Sequence, residues 1–378
     1  MLRVSHIGES RMRFTVNRDT LLKPLQFVSG VVERKQTHAI LGNVLLVLDK
    51  GELSFTCSDS ELEVIARITL EGDFEEGEIT VPAKKFCDIC KSLPSGVDIN
   101  ASLNEGKFTI KSGRSRFNLT TLPANEFPNV EEKVGLVNFN IARNSLCRLL
   151  DKTAFAMAVQ DVRYYLNGML MEIQDGRLVV VTTDGHRLAL SSANIGLSVE
   201  TPSQVIIPRK GVMEIARIFS DGTDEVAVHI SSNHIRVHTD DICFTSKLVD
   251  GRYPDYERVI PAEGKARFVA NREELRLALQ RAAILSNEKY RGVRIFLSPN
   301  SMLINTNNPE QEAAQEQVFI DYAGEEMELG FNVNYLLDVL NVMKSEDVHF
   351  SIADGNHTSI IKSPDSEEAI YIVMPMKM

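Results

Sequence analysis

A motif that occurs three times constrains the fold of this chain more than any other feature. The pattern F-x3-R-x2-L-x3-L begins at Phe14, Phe139 and Phe268, so successive copies are 125 and 129 residues apart. Solenoid repeats recur every ~20–50 residues, and the longer interval seen here is that of a whole small domain. The spacing therefore predicts that the chain uses one domain type three times.

Each copy of the motif is followed by the same succession of patterns. An amphipathic helix, a short apolar run and Thr-rich strand runs come first, and a second helix pattern comes later. In the first repeat that second helix places Phe86, Ile89, Cys90 and Leu93 on one face. Strand runs around helices that bury one face favour an α+β fold. We therefore expect two helices packed on antiparallel sheets in each domain.

Capping residues indicate where two of the first helices begin. Asn17 and Asp19 are plausible caps for a helix from about Asp19 to Ser29, which Pro24 should kink. In the third repeat Asn271 precedes Glu274 at the spacing of a capping box.

Extended X-Pro segments mark the ends of the first two repeats. Phe127-Pro128 and Tyr253-Pro254 each follow a terminal strand run, and Pro, Gly and charged residues cluster just beyond them. We expect an N-terminal extension at residues 1–11 and domains at residues 12–133, 134–262 and 263–378. The extension contains no apolar segment of the kind that a secretory signal needs.

Composition favours a soluble protein of a reducing compartment. No apolar run approaches the ~18 residues needed to cross a bilayer. The five cysteines are odd in number and scattered, which favours free thiols over a disulfide framework. We therefore expect a cytoplasmic protein.

The net charge of −11 sets a condition on any nucleic-acid partner. Such a surface repels DNA on average, so DNA binding would depend on a local basic stripe or on geometry. Basic residues do recur on the predicted helices, for example Lys84, Lys85 and Lys91 in the first repeat. A solvated helix carries charge on its outer face in any case, so each helix taken alone has an ordinary structural explanation.

The common sequence motifs for catalysis and cofactor binding are absent. The chain has no phosphate-binding loop, dinucleotide fingerprint, zinc-protease helix or nucleophile elbow. Cys87 and Cys90 have C-x-x-C spacing, but inside an amphipathic helix they are better explained as small buried hydrophobes. Asp184, His186 and Arg187 crowd together without an identifiable nucleophile, which favours a turn that lines a binding surface. We expect no catalytic residue, no metal and no cofactor.

Two further stretches have the character of binding surfaces. Tyr164 and Tyr165 are adjacent in a segment that we expect to be extended, where both cannot be buried. The C-terminal run from Ile370 to Met378 is a predicted strand that ends in Met and Pro residues. Methionine side chains repack readily around different partners, which suits an adaptable surface.

The repeat and several longer blocks together resemble the bacterial DNA polymerase III beta subunit, the sliding clamp family. The blocks are QDVRYYLNGML (160–170), TDGHRLA (183–189), FTSKLVDGRYPDY (244–256), RAAILSNEKYRGVR (281–294) and the terminal YIVMPMKM (371–378). The resemblance implies three clamp domains in a head-to-tail dimer that forms a six-domain ring. It also implies a non-enzymatic processivity factor that encircles duplex DNA and tethers its partners.

In that family the helices face the hole of the ring and the sheets form its outside. Basic helices would then meet DNA while an acidic exterior repels it, and no base readout is needed. By resemblance the DNA-facing residues are Lys35, Lys84, Lys91, Gln160, Tyr164, Tyr165, Arg209, Lys210, Arg217 and Arg291. Lys35 and Lys84 stand where Arg is expected, which keeps the charge but loses bidentate phosphate geometry.

The resemblance further implies that the end of domain one meets domain three of a second copy by sheet extension. The residues implied at this dimer interface are Lys85, Arg114, Arg116, Phe117, Leu119, Ile284, Leu285, Glu310, Glu312 and Glu316. Ala313 and Gln315 interrupt an acidic run that is denser in some relatives. We therefore expect a weak ionic rim, with apolar contact responsible for closure.

A peptide-binding pocket between domains two and three is the last site that the resemblance implies. Its deep apolar subsite would contain Leu166, Thr183, Gly185, His186, Arg187, Leu188, Pro254, Arg258, Val259, Ile372 and Met374, and its neighbouring groove Arg163, Tyr165, Tyr335, Pro375 and Met376. The implied partners are double-stranded DNA, a second copy of the chain, the DNA polymerase III alpha subunit, the clamp loader, and other DNA polymerases and repair proteins that carry short linear peptides.

Two other classes of function stay open from the residues alone. One is an oligomeric enzyme that uses Asp184, His186 and Arg187. The other is a protein scaffold that does not bind DNA. Loss of turnover in His186→Ala would favour the enzyme, and a solution mass near that of one chain would weaken the ring.

Overall fold

The computed structural model describes most of the chain. The described residues are 11–33, 38–128, 137–197, 203–262, 264, 266–353, 358–364 and 366–376. Residues 1–10 of the predicted extension, Lys35, parts of both predicted domain boundaries (129–136, 263 and 265) and the last two residues lie outside them. No helix in the described part is long and apolar enough to span a membrane.

The described residues form six α-helices. They are α1 (Arg18–Ser29), α2 (Ala83–Ser92), α3 (Arg143–Thr153), α4 (Arg209–Ile218), α5 (Arg272–Ile284) and α6 (Val333–Val342). Asn17 and Asn271 are confirmed as caps, whereas Asp19 lies inside α1: the Asn17 side chain accepts from the amide of Asp19 at 2.9 Å, and that of Asn271 accepts from the amide of Glu274 at 3.0 Å. Helix α1 runs on through Pro24, which is buried inside it.

Strands occupy most of the remaining chain. In order they are β1 (Met12–Asn17), β2 (Asn43–Asp49), β3 (Glu52–Ser58), β4 (Leu62–Thr69), β5 (Gly77–Pro82), β6 (Asp98–Asn104), β7 (Lys107–Ser112), β8 (Ser115–Thr120), β9 (Val137–Ala142), β10 (Gly168–Gln174), β11 (Arg177–Thr183), β12 (Arg187–Asn194), β13 (Ser203–Pro208), β14 (Glu225–Ile230), β15 (His234–His238), β16 (Ile242–Lys247), β17 (Ala266–Asn271), β18 (Gly292–Ser298), β19 (Ser301–Asn307), β20 (Ala313–Asp321), β21 (Met327–Asn332), β22 (Asp347–Ile352), β23 (Ser359–Ser363) and β24 (Ser366–Val373). This mixture of helices and antiparallel strands confirms the predicted α+β class.

One local prediction is wrong. Tyr164 and Tyr165 do not lie in an extended segment but in a short 3-10 helix, Tyr164–Asn167. The reason is a closed loop: the Asn167 side chain accepts from the amide of Asp161 at 2.9 Å and donates to its carbonyl at 2.9 Å. These two bonds fold the segment back on itself.

Contacts divide the described chain into two compact units. Unit one comprises the residues up to Arg143 together with Arg217–Leu248, and unit two comprises Asn144–Ala216 together with the residues from Val249 onward. These limits differ from the predicted domain boundaries because strands of the first and second repeats share a sheet, in which β4 pairs with β16. The three-domain division stays a prediction.

Unit one contains two antiparallel sheets. Their strand orders are β1-β6-β7-β8 and β5-β2-β3-β4-β16-β15-β14-β9. Helices α1 and α2 pack against each other, and α1 also contacts β3 and β4. Strands β8 and β9 each lie at the edge of their sheet.

Unit two is built on one antiparallel sheet. Its described strands follow the order β13-β10-β11-β12-β24-β23-β22-β17-β20-β19-β18-β21. Helix α5 packs on β19 and β20 and against α6. Leu275, Leu279, Leu336 and Leu340 from these two helices belong to one buried apolar cluster, together with Phe350 of β22.

The apolar residues of the repeated motif are core residues in all three copies. Each of its phenylalanines and leucines is buried: Phe14, Leu21, Leu25, Phe139, Leu146, Leu150, Phe268, Leu275 and Leu279. The motif therefore recurs because each repeat needs the same side chains to seat its first helix.

The arginine of the motif has a separate task, which is to join the two helices of a repeat. Arg18 at the start of α1 donates from Nε to the carbonyl of Cys90 near the end of α2, at 2.8 Å. Arg272 at the start of α5 donates from Nε to the carbonyl of Ser345, just beyond α6, at 2.9 Å. Carbonyls at a helix C-terminus lack intrahelical donors, and a cation placed there is favourable.

Arg143, the motif arginine of the second repeat, makes the corresponding contacts just beyond α4. Its guanidinium donates to the carbonyl of Asp221 at 2.5 Å and to the carboxylate of Asp224 at 2.6 Å. The arginines therefore tie helix to helix, and their positions at helix starts reflect this structural role.

Candidate functional site

The residues of the predicted peptide pocket lie together in unit two, around the pairing of β12 with β24. Leu188 on β12 stands opposite Ile372 on β24. Both are buried, and with Leu166 they belong to one apolar cluster against which Val259 and Tyr165 pack. We call this cluster and the surrounding predicted residues the groove. Its floor is apolar and already assembled.

A tight turn between β11 and β12 forms one wall of the groove. Thr183 donates from Oγ1 to the carbonyl of Arg187 at 2.5 Å and accepts from the amide of Gly185 at 3.0 Å. Asp184 accepts from the amides of His186 and Arg187 at 2.9 and 3.1 Å. Gly185 has φ of +90°, a conformation that side chains disfavour. The polar residues that crowd this stretch of sequence therefore build the turn.

Arg187 holds the wall of the groove to helix α6. Its guanidinium donates to the Asp184 carboxylate at 3.1 Å and to the carbonyl of Phe155 at 2.9 Å, and it pairs with the carboxylate of Asp338 on α6. The same group lies over the rings of Tyr335 and Phe155, 4.6 and 5.3 Å from their centroids. Its single positive charge is shared between two carboxylates, so Arg187 acts as an internal brace.

His186 and Tyr335 line the groove as a pair of parallel rings. Their centroids are 6.4 Å apart and their planes differ by 18°. His186 is exposed while Tyr335 is half-buried, and burial raises the pKa of the Tyr335 hydroxyl. The carbonyl of His186 accepts from the amide of Met374 at 2.9 Å, and the amide of Met376 donates to Gly330 at 2.8 Å. The C-terminal tail is therefore fixed along the groove at two points.

Two further arginines stand at the rim. Arg163 binds the carboxylate of Asp161 with two hydrogen bonds, at 3.0 and 2.9 Å, and this contact lowers the pKa of Asp161 to about 2. Its Nη2 atom also donates to the carbonyl of Asp184 at 3.3 Å. Arg258 is far more open: 86% of its side chain is exposed, and it pairs with Asp255 at 2.8 Å. Each of the two rim arginines is therefore paired with one carboxylate, and Arg258 stays largely open to solvent.

The enzyme alternative receives no support from this geometry. The Asp184 carboxylate is engaged by the backbone of its own turn and by Arg187, and the His186 ring stacks on Tyr335. Within the described residues there is no group of three or more His, Cys, Asp or Glu side chains that could hold a metal ion. Burial raises the pKa of the Cys90 thiol to about 12, as expected for a buried hydrophobe.

The predicted DNA-facing residues divide into exposed and structurally engaged side chains. Lys84, Lys91, Gln160 and Tyr164 are exposed, whereas Tyr165, Arg209, Lys210 and Arg291 are half-buried. Arg217 donates to the carbonyls of Phe27 and Gln26 at 2.7 and 3.3 Å, which caps the end of α1. Arg209 donates to Met157 at 3.3 Å. DNA contact by these residues stays a prediction.

The predicted dimer interface draws on strands with a free side. Strand β8, which carries Arg116, Phe117 and Leu119, is the last strand of its sheet. In unit two, β20 pairs with β19 along residues 313–319 but meets β17 only at Ile320 and Asp321. Edge strands of this kind can add a strand from another chain.

Near β20, the apolar residues of the predicted interface are accessible, but one of its acidic residues is already paired within the same unit. Ile284 is 75% exposed and Leu285 is half-buried, which leaves apolar area available. Glu316, which the resemblance places at the dimer interface, is already held by Arg281 of its own unit at 2.9 and 2.6 Å. Lys85, Arg114, Glu310 and Glu312 are exposed.

Sequence reasoning missed several supports of the groove. Phe155 and Asp338 brace Arg187, and Asp161 orients Arg163, yet none of the three was predicted. A signal existed for Asp338, because it follows Tyr335 by three positions on α6 and therefore faces the same side. The position of Phe155 depends on tertiary packing that no local pattern reveals.

The fold and the groove define a class of protein: a repeated arrangement of helices on antiparallel sheets with a preformed apolar groove. Models of the DNA polymerase III beta subunit match the chain in succession, the N-terminal domain at residues 12–131, the central domain at 140–255 and the C-terminal domain at 257–377. The chain belongs to the DNA polymerase III beta subunit family.

Individual relatives agree over almost the whole length. The beta sliding clamp of Pseudomonas aeruginosa is 53% identical over 367 residues, covering 97% of this chain and 100% of that protein. The beta sliding clamp of Escherichia coli K12 is 50% identical over the same shares. A crystal structure of the DnaN sliding clamp from Pseudomonas aeruginosa bound to griselimycin is 52% identical and superposes with a TM-score of 0.95, again covering 97% of this chain and 100% of that one.

Proposed function

We propose that the chain is a DNA sliding clamp, a processivity factor of which two copies close head to tail around duplex DNA. The observation that carries this proposal is the succession of three beta-subunit domains along one chain. Three domains in each of two copies make a ring of six. A closed ring retains DNA by topology, so it needs few phosphate contacts and no recognition of base sequence.

The charge of the chain suits such a ring. With a net charge of −11, an acidic exterior repels DNA, while the predicted DNA-facing side chains are basic or polar. Lys84 and Lys91 on α2 are exposed and available for transient phosphate contact. Sliding requires contacts of this weak and replaceable kind.

The groove is the proposed docking site for short linear peptides. Its partners are the DNA polymerase III alpha subunit, the clamp loader, and other DNA polymerases and repair proteins. A Leu or Phe anchor that reaches the floor near Leu188 and Ile372 gains about 1.5–3 kcal/mol, less the cost of ordering the peptide. A single site then binds in the micromolar range, about −8 kcal/mol, and two grooves per ring add avidity.

We also infer that the clamp is non-enzymatic and works in the cytoplasm. Asp184 and His186, the residues of the enzyme alternative, serve the wall of the groove. The cysteines are free thiols, which suits a reducing compartment. The proposed domain limits remain 12–133, 134–262 and 263–378.

Retention on circular DNA tests the ring. The protein is loaded onto nicked circular plasmid with a clamp loader at physiological salt, and one portion is then linearised with a restriction enzyme. The protein should remain on the circle and leave the linear DNA, because only the linear form offers ends over which a ring can slide. Equal retention on both forms would contradict the proposal.

A further inference from the structure

Two histidines on neighbouring strands of unit one face each other through their ring nitrogens. His229 on β14 and His238 on β15 place their Nε2 atoms 2.9 Å apart, with ring planes that differ by 10°. An N–H···N contact needs one donor and one acceptor, so one of the two Nε2 atoms carries the hydrogen and the other presents a lone pair. Neither ring belongs to the groove or to the predicted DNA-facing surface.

The orientation of His229 is fixed from its other side. Its Nδ1 atom lies 2.7 Å from Oδ1 of Asn138, which stands directly opposite on β9. An amide oxygen only accepts, so Nδ1 carries the hydrogen and the Nε2 atom of the neutral ring is bare. An imidazole whose Nδ1–H is held by an oxygen and whose Nε2 is free is the usual arrangement of a metal-binding histidine.

We propose that His229 and His238 form a two-histidine site for a divalent transition metal ion, with Asn138 as the residue that orients it. Zinc binds imidazole nitrogens at ~2.0–2.1 Å, so two nitrogens on one tetrahedral ion lie ~3.3–3.4 Å apart. The observed separation of 2.9 Å is short of this by a few tenths of an ångström. Small rotations of the two half-buried rings can widen the Nε2–Nε2 distance by this amount. For both Nε2 atoms to bind the ion, His238 must carry its hydrogen on Nδ1.

The donor set selects the class of metal. Neutral imidazole favours Zn²⁺, Cu²⁺ and Ni²⁺, whereas Mg²⁺ and Ca²⁺ prefer oxygen ligands. In the described chain no third His, Cys, Asp or Glu completes a cluster here, so water fills the remaining positions and the ion exchanges freely. Arg236 stands opposite His229 in the strand pairing and opposes the bound cation, so the site is of modest affinity.

Bound metal would act as a cross-link within the sheet. It joins β14 directly to β15, and the Asn138 contact extends the connection to β9 at the sheet edge. Because the site exists only when these strands are paired, metal binding stabilises the folded state by mass action.

Calorimetric titration of the full chain with Zn²⁺ tests the site, with Mg²⁺ in a parallel titration. We expect one Zn²⁺ per chain and no Mg²⁺ binding at this site. His229→Gln and His238→Gln should each bind Zn²⁺ at least about tenfold more weakly, and Asn138→Ala should lose about 10–100-fold, the usual effect of removing an orienting partner. His234→Gln, on the same strand β15 as His238, is the matched control and should bind like the unaltered protein.

Thermal unfolding supplies an independent measurement. Zn²⁺ should raise the melting temperature of the unaltered protein and of His234→Gln, but not that of His229→Gln or His238→Gln. Circular dichroism identifies any variant that fails to fold, and Asn138→Ala then takes its place. The proposal is overturned if the unaltered protein binds no Zn²⁺, or if both histidine variants bind it as well as the control.

Discussion

One arginine of the groove is held almost entirely by contacts within its own unit. Arg187 has only 11% of its side chain exposed, and its guanidinium bonds Asp184, Asp338 and Phe155 while lying over Tyr335. Removing one member of such a network leaves the remaining partners imperfectly paired. The aromatic wall of the groove therefore depends on charged residues behind it.

Substitution of Asp338 tests this dependence. Asp338→Asn keeps the shape of the side chain but removes the charge that holds Arg187 to α6, so Tyr335 loses part of its support. We expect an affinity for a groove-binding peptide about tenfold weaker, which corresponds to about 1.4 kcal/mol. Fluorescence anisotropy with a labelled peptide measures the change.

Asn341→Ala is the matched control for this substitution, because Asn341 is an exposed residue of the same helix. It should leave peptide affinity unchanged. If Asp338→Asn binds peptide as tightly as the control, Arg187 does not need its second carboxylate and the brace is redundant.

At the scale of elements, the motif arginines join the first helix of each repeat to the end of its second. Arg272 makes this connection with two hydrogen bonds, to Ser345 at 2.9 Å and to the carbonyl of Leu340 at 3.2 Å. Its backbone amide adds a third, to Glu346 at 2.9 Å. The pair α5 and α6 is thus closed at one end by a single residue.

Arg272→Ala should destabilise unit two by about 1.5–3 kcal/mol, the range for hydrogen bonds made by a charged group. Differential scanning calorimetry measures the loss as a lower unfolding temperature. Arg276→Ala, four positions further along α5, removes an ion pair with Glu273 of the same helix, a kind of contact that contributes little, and should have little effect. Equal destabilisation by the two variants would show that general loss of surface charge, and not helix closure, is responsible.

The elements also show what sequence could and could not reveal. Burial of the motif residues Leu21, Leu146 and Leu275 follows from periodicity alone, because a helix on a sheet must bury one face. The 3-10 helix at Tyr164 was not predicted, because its shape depends on a hydrogen bond from the backbone amide of Asp161 to the side chain of Asn167. No hydrophobic pattern encodes such a bond.

The residues of the groove were predicted from the family resemblance, but the residues that support Arg187 were not. The blocks that carry the likeness contain Thr183, His186 and Arg187, so their proximity to the C-terminal tail could be expected. Phe155 and Asp338 are 32 and 151 residues from Arg187 along the chain, and their contacts with it exist only after folding. Long-range packing is what the sequence leaves undetermined.

At the scale of the whole molecule, the proposed ring requires two copies to close through apolar contact. Ile284 at the end of α5 is 75% exposed, and burying an isoleucine side chain contributes about 1.5–3 kcal/mol. The Glu316 carboxylate is already paired with Arg281, so we expect it to contribute little ionic contact across the proposed interface.

Ile284→Glu should therefore shift the protein from dimer to monomer, because it places a charge in the apolar contact. Light scattering should give about twice the chain mass of 42.2 kDa for the unaltered protein and a lower value for the variant. Val162→Glu replaces a valine that is 95% exposed and lies outside the predicted interface, so it should remain dimeric. An unchanged mass for Ile284→Glu would show that the dimer interface does not depend on Ile284.

The pairing of β4 with β16 has a consequence for how such a chain can be divided. Five residue pairs, from Ile242 with Ala66 to Ser246 with Leu62, join a strand of the first repeat to a strand of the second. A fragment that stopped between these repeats would present β4 as an unpaired edge, open to strands of other molecules. Each of the two repeats thus protects an edge strand of the other from aggregation. A chimera that replaces one repeat with that of a relative therefore needs the matching strand, β4 or β16, from the same relative.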